Sequence, residues 1–190
     1  MNFQRRERIL NLSIELGAIK YGEFTLSSGE KSNYYFDGRL VTLNPEGLFL
    51  IAKEIFEIAQ ANNAASIGGP TLGADPIVGA TVLISHQQGY PLNGFIVRNA
   101  PKNHGMGNQL EGIVNTGAGV IIIDDTCSTG GSLIRGADLI EAIGANVLQV
   151  VTVLDRNQGG REKLVNRGYR FTSLLCTGKT GSIEVNMSDD

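Results

Sequence analysis

Gly119-Val120-Ile121-Ile122-Ile123-Asp124-Asp125-Thr126-Cys127-Ser128-Thr129-Gly130-Gly131-Ser132-Leu133 is the stretch that decides how this chain is read. Val120 to Ile123 are β-branched and apolar without interruption, the mark of a strand buried on both faces, as in a parallel sheet. The run stops at two adjacent carboxylates, then passes through small hydroxyl residues, a cysteine and two glycines before a helical pattern begins at Ser132. In open α/β sheets ligands sit outside the carboxyl ends of strands, and this is such an end. Backbone N–H groups and hydroxyls of the loop, backed by the next helix N-terminus, form an anion cradle suited to a phosphate. Asp124 and Asp125 repel a phosphate and suit a neutral diol or a metal. A phosphate beside a diol describes a ribose 5-phosphate.

Outward from this stretch, strands and helices alternate. Residues 3–16 read as a helix that Gly17 ends, and Tyr21 to Asp37 as a small β element with a turn at Ser28-Gly29. Asn44 caps a helix with Pro45 at its first position and Leu48, Ala52, Ile55 and Ala59 along one stripe. A short strand at 66–69 leads into a helix near 74–88, and a strand covers 93–98. Residues 99–118 read as one long loop, and loops of that length are functional or disordered. Past the deciding stretch come a helix closed by Gly144, a buried strand at 147–154, a short helix near 160–167 and a strand at 170–175. This alternation implies a parallel sheet with right-handed crossovers. The tail, 177–190, reads as polar and partly disordered.

With 190 residues, a single domain over 1–190 is expected, and 42% hydrophobic with 18% charged residues is ordinary for an enzyme. A net charge of −3 gives no global pull toward nucleic acid or membrane, so any anion site is local. No apolar run spans a bilayer, the N-terminus has no signal-peptide core, and the two cysteines form no framework; a cytoplasmic location is expected. Gly178-Lys179-Thr180 ends like a P-loop, but Ser173 stands where the first glycine is required.

Val120 to Ser132 resembles the phosphoribosyl-pyrophosphate (PRPP) motif of type I phosphoribosyltransferases. The resemblance implies that Asp124 and Asp125 hold the ribose 2′- and 3′-hydroxyls, and that Thr126, Cys127, Ser128, Thr129, Gly130, Gly131 and Ser132 bind the 5-phosphate. Val97 to Gly112, with Arg98, Lys102, His104 and the pair Glu111-Gly112, resembles the mobile catalytic loop of the orotate phosphoribosyltransferase branch. By that resemblance Arg98, Lys102 and His104 bind pyrophosphate, and the loop reaches into the partner's active site of a homodimer. Mobile cations closing over a departing pyrophosphate stabilise the transition state.

Gly68 to Pro76 joins a strand to a helix and is similar to the family's pyrophosphate loop, which assigns Thr71 to PRPP. Asp155-Arg156 ends a strand at the same crevice edge. In the family this arginine contacts orotate, and its planar fork suits a carboxylate. Ser128 also matches a base-contacting position. Phe24 to Asp37 resembles the hood of that branch, roughly residues 1–40, with Tyr35 and Phe36 near the orotate ring. The resemblance runs from about Phe24 to Leu175. It departs at Asn99 and Leu72, where many members carry lysine.

The expected fold is therefore α/β: a type I phosphoribosyltransferase-like, mostly parallel sheet flanked by helices, with a small N-terminal hood. The implied reaction joins orotate to PRPP, giving orotidine 5′-monophosphate and pyrophosphate in pyrimidine nucleotide synthesis. Mg²⁺ is the implied cofactor, carried through PRPP oxygens with no direct protein ligand, because magnesium prefers substrate phosphates to protein cages. The alternatives are a phosphoribosyltransferase for another base, or a PRPP-binding regulator without turnover.

Overall fold

The computed structural model of the chain describes residues 2–25, 31–99 and 109–186. In chain order the elements are α1 (Phe3–Glu15), β1 (Ile19–Thr25), β2 (Lys31–Phe36), α2 (Arg39–Thr42), α3 (Pro45–Ala61), β3 (Ser66–Pro70), α4 (Ala74–Gln87) and β4 (Asn93–Val97). They continue with β5 (Leu110–Gly112), β6 (Gly119–Cys127), α5 (Gly131–Ala142), β7 (Asn146–Asp155), α6 (Gly160–Asn166), β8 (Phe171–Thr177) and β9 (Ile183–Val185). Seven strands form one sheet in the order β5-β4-β3-β6-β7-β8-β9, while β1 and β2 pair separately as an antiparallel ribbon. The inner strands, β4 to β8 in that order, run parallel, and the two edge strands run antiparallel. The chain enters the sheet at β3, steps outward to β4, then crosses back to β6 on the other side. That reversal is a topological switch point, and it opens a crevice between the ends of β3 and β6.

β6 is buried on both faces because its alternating side chains feed two cores. Ile121 and Ile123 join Ile51, Ile55 and Ile77 from α3 and α4, whereas Val120 and Ile122 join Leu133 and Ile140 from α5. The same alternation sends the next two residues opposite ways, Asp124 toward α5 and Asp125 toward α2. Asn44 caps α3 as expected, its side chain accepting from the amides of Glu46 and Gly47 at 3.0 Å each. Asn2 caps α1 in the same way, accepting from the Arg5 amide.

Two expectations need correction. β6 does not stop at the acid pair; it pairs with β7 as far as Cys127↔Asp155, so both acids are ladder residues with a fixed direction. The segment read as one long loop contains β5, which pairs with β4 through Phe95↔Gly112 and Val97↔Leu110. Within the tail, β9 pairs with β8 through Leu175↔Val185. Each of these edge strands is three residues long, too short to show a period. The hood turn expected at Ser28-Gly29 lies outside the described residues.

A buried ionic knot fastens the two ends of the chain to α3. Glu54 has no exposed surface and accepts from Arg5 Nη1 at 2.6 Å, Arg6 Nε at 3.0 Å and the Asn2 amide at 3.2 Å. Arg6 Nη1 continues to the Asn186 carbonyl at 2.9 Å, just past β9. Removing Glu54 takes away the buried carboxylate that both guanidiniums share, although Arg5 still pairs with Glu57 at 2.9 and 3.0 Å. Glu54→Ala is therefore expected to lower unfolding free energy by about 3–5 kcal/mol, read by chemical denaturation. A loss below about 1 kcal/mol would mean that solvent already relieves the two guanidiniums.

Candidate active site

The crevice at the switch point is walled by the ends of β3, β6 and β7 and by the segment joining β2 to α2. Asp124 is 8% exposed. Its Oδ1 accepts the Asp125 amide at 2.9 Å and its Oδ2 accepts the Ser132 hydroxyl at 3.3 Å. Burial, and then the neighbouring charge of Asp125, push the Asp124 pKa well above the usual carboxylate range. Burial also raises Asp125, opposed by hydrogen bonds from Asp124 and Thr126 and by the charge of Arg39. Two carboxyl groups that resist ionisation are held where a ligand rich in donors can relieve them.

Backbone comes unusually close to this pair. A Cβ on Gly73 would lie 2.5 Å from Asp125 Oδ1 and 2.6 Å from Asp124 Oδ1, so the loop after β3 rests directly on both acids. A Cβ on Gly38 would lie 2.8 Å from Asp125 Oδ2, which puts Asp37 and Arg39 beside the acid pair. Arg39 is held by Asp37 through Nε at 3.0 Å. No sequence signal marks Asp37 and Arg39, because they reach the site through a contact far along the chain.

The cradle is built as its composition suggests. Gly130 has φ +75°, and a Cβ there would also meet Gly160, so it closes the loop where a side chain could not. Gly160 N–H donates to the Ser128 carbonyl at 3.0 Å, docking α6 beneath the cradle. The first turn of α5 leaves its amides unsatisfied by the helix itself, facing the same loop. Ser128 and Ser132 are half-buried, and Thr129 is exposed. Cys127 is buried with its Sγ packed toward Gly160, so it has only its backbone to offer a phosphate. Burial, and then the charge of Asp155, push its thiol up to about 12, which makes it inert filler.

Thr71 donates its hydroxyl to Asp75 Oδ2 at 2.9 Å, and its amide bonds the Val97 carbonyl at 2.9 Å. Leu72 is exposed at the tip of that loop. Arg98 pairs with Glu111 at 3.4 Å, and its amide meets the Gln109 carbonyl at 2.8 Å, so both ends of the intervening segment leave from one point. A cavity of about 240 Å³ lies there, between Pro70, Arg98, Ser132 and Arg135. Lys102 and His104 lie outside the described residues.

At the far wall, β7 delivers Asp155 and Arg156. Asp155 is fully buried, and its Oδ1 accepts the Asn157 amide at 2.9 Å. Arg156 does not pair with it. Its Nε donates to the Tyr34 hydroxyl at 3.2 Å, its Nη2 reaches Ser32 Oγ at 3.5 Å, and its guanidinium carbon stands 5.0 Å from the Tyr34 ring centre. Of the two aromatics expected near a base, Phe36 is buried and abuts Gly38 beside Asp125, whereas Tyr35 is 39% exposed and stands by Phe24. Successive strand residues face opposite ways, so Tyr35 and Phe36 cannot meet a ligand from one side. Tyr34, which sequence reading passed over, is the aromatic against Arg156.

A parallel sheet with paired acids and a phosphate loop at its switch point defines a class, the phosphoribosyltransferases, and residues 79–169 match the family model of the phosphoribosyl transferase domain. The chain is 40% identical over 167 residues to an orotate phosphoribosyltransferase of Rhodopirellula baltica, covering 85% of this chain and 86% of that protein. It is also 40% identical over 176 residues to one of Pyrococcus horikoshii, covering 92% of each. The crystal structure of Mycobacterium tuberculosis orotate phosphoribosyltransferase in complex with PRPP superposes with a TM-score of 0.74 at 32% identity, over 90% of this chain and 96% of that one. The chain belongs to the orotate phosphoribosyltransferase family. The expected type I phosphoribosyltransferase-like fold is borne out.

Proposed function

We propose that this chain transfers the 5-phosphoribosyl group from PRPP to orotate, releasing pyrophosphate, from a site built by the residues assembled above. The observation that carries this reading is the juxtaposition, at one switch point, of a buried acid pair, a glycine-closed phosphate loop and a fixed arginine. Asp124 and Asp125 accept from the ribose hydroxyls, and the loop Thr126 to Ser132 receives the 5-phosphate. Thr71 with the loop after β3, together with Arg98, Lys102 and His104, faces the pyrophosphate. Arg156 faces the orotate carboxylate, with Ser128 beside it and Phe36 near the ribose side; Tyr35 is the weakest member of this set because it faces outward.

No covalent intermediate is needed. Holding orotate N1 behind C1′ and neutralising the leaving group lowers the barrier. Magnesium suits this donor set as a companion of the substrate: Asp124 and Asp125 are two carboxylates, fewer than the oxygen set a protein cage needs, and magnesium keeps its waters and substrate oxygens. Asp124 and Asp125 would hold such an ion through the PRPP hydroxyls and its water shell. When bound, the ion supplies positive charge against the pyrophosphate.

The working unit is a homodimer in which Lys102 and His104 serve the partner's cradle, each chain being one domain over 1–190 with a hood of roughly residues 1–40 and a polar tail from 177. A cytoplasmic location follows from the substrates and from composition. Among the described residues no helix is long and apolar enough to cross a membrane. A net charge of −3 gives no global pull toward nucleic acid.

The test is Arg156→Ala. A charged hydrogen bond of this kind is worth about 1.5–3 kcal/mol, so the KM for orotate rises roughly 10- to 100-fold while that for PRPP moves little. Lysine at the same place restores only part of the loss, since it lacks the fork. Equal changes in both KM values would make the arginine structural.

A further inference from the structure

Arg156 is offered by a loop-like strand end, yet its direction is fixed from the hood. An arginine Nε–H can only donate, so the Tyr34 hydroxyl must accept from it. That leaves the phenolic proton for Thr177 Oγ1, 2.7 Å away on β8. Tyr34 is 5% exposed and sits in the main core, so both its ring and its hydroxyl are held. Thr177 is itself a junction, because its carbonyl accepts the Asn157 side-chain amide, next door to Arg156. The Arg156 amide meanwhile donates to the Cys127 carbonyl at 2.8 Å. The residue is therefore gripped at its backbone by β6 and at its Nε by the hood. Among the described residues Nη1 takes no partner, and Nη2 has only the 3.5 Å contact to Ser32. The edge left for a ligand is the Nη1–Nη2 edge, which meets a carboxylate end-on with two parallel bonds.

We infer that Tyr34 is a positioning residue for base selection: by occupying Nε and stacking on the guanidinium, it turns the Nη1–Nη2 edge of Arg156 toward the carboxylate of the acceptor base. This rests on the reading that Arg156 receives that carboxylate. Freed from Tyr34, the guanidinium rotates about its long side chain, and the two bonds no longer form together.

Tyr34→Phe keeps the ring and removes the hydroxyl that accepts from Arg156 Nε and donates to Thr177. The expected result is a rise of about ten-fold in the KM for orotate, with kcat and the KM for PRPP changed less than about two-fold and the melting temperature unchanged. Thr177→Val, which breaks the chain one link further out, gives a smaller rise of the same kind. In an Arg156→Ala background Tyr34→Phe adds nothing, because the residue it aims is gone. Effects that multiply in the double variant would show Tyr34 acting by itself and overturn the inference. So would an unchanged orotate KM in Tyr34→Phe while Arg156→Ala still raises it, and so would a uniform loss of all kinetic parameters with a lowered melting temperature. An unchanged orotate KM in Arg156→Ala would overturn the underlying reading instead.

Discussion

Replacing Asp124 and Asp125 together by asparagine is expected to weaken PRPP binding by roughly two to four orders of magnitude, from two charge-assisted bonds at about 1.5–3 kcal/mol each. The same change is not expected to cost stability. Burial raises the Asp124 pKa in the folded chain above its unfolded value, so the folded state binds a proton that the unfolded state releases. Stability then falls as pH rises from the ordinary aspartate range toward the raised value, and the cost of the ionised group is complete only above that value. Asparagine removes that titration. The double variant should melt at or above the wild type at neutral pH, with the difference closing in acid. Loss of PRPP affinity with retained stability marks residues shaped for a ligand. Unchanged affinity, measured by calorimetry, would remove the pair from the ribose site.

The second large effect concerns the shared site. A Lys102→Ala chain and an Asp124→Asn/Asp125→Asn chain are each expected to be nearly inactive alone. Mixed and allowed to exchange, about half the dimers are heterodimers, and each has one site with an intact cradle and an intact Lys102 from the partner. Activity should return to roughly a quarter of wild type. A loop that serves its own chain gives no recovery, because every site keeps one defect. Mixed subunits shown by mass to have exchanged, with no activity regained, would place Lys102 in its own chain's site and leave the cradle assignment standing.

The deciding stretch was legible because β6 is buried on both faces, and only such a strand is apolar without alternation. Its acids and glycines were legible as a site because strand ends at a switch point are where this architecture binds ligands. What escaped were features made by distance in the sequence. Arg39 reaches the acid pair because Gly38 abuts Asp125, and no local pattern carries that contact. β5 and β9 exist because a longer neighbour offers an edge, which three residues cannot announce. Tyr34 was within reach. In Tyr34-Tyr35-Phe36 the strand period alone separates the middle ring from the outer two, and the buried face of β2 is the one that meets Arg156.

Pyrophosphate release from PRPP, followed with orotate, uracil, hypoxanthine and adenine offered separately to one preparation, tests the assignment most directly. An uncharged base gives Arg156 no carboxylate, so release with orotate and with none of the other three is the predicted result. Release driven by an uncharged base in place of orotate would contradict it, and so would a chain that binds PRPP but releases no pyrophosphate with any of them.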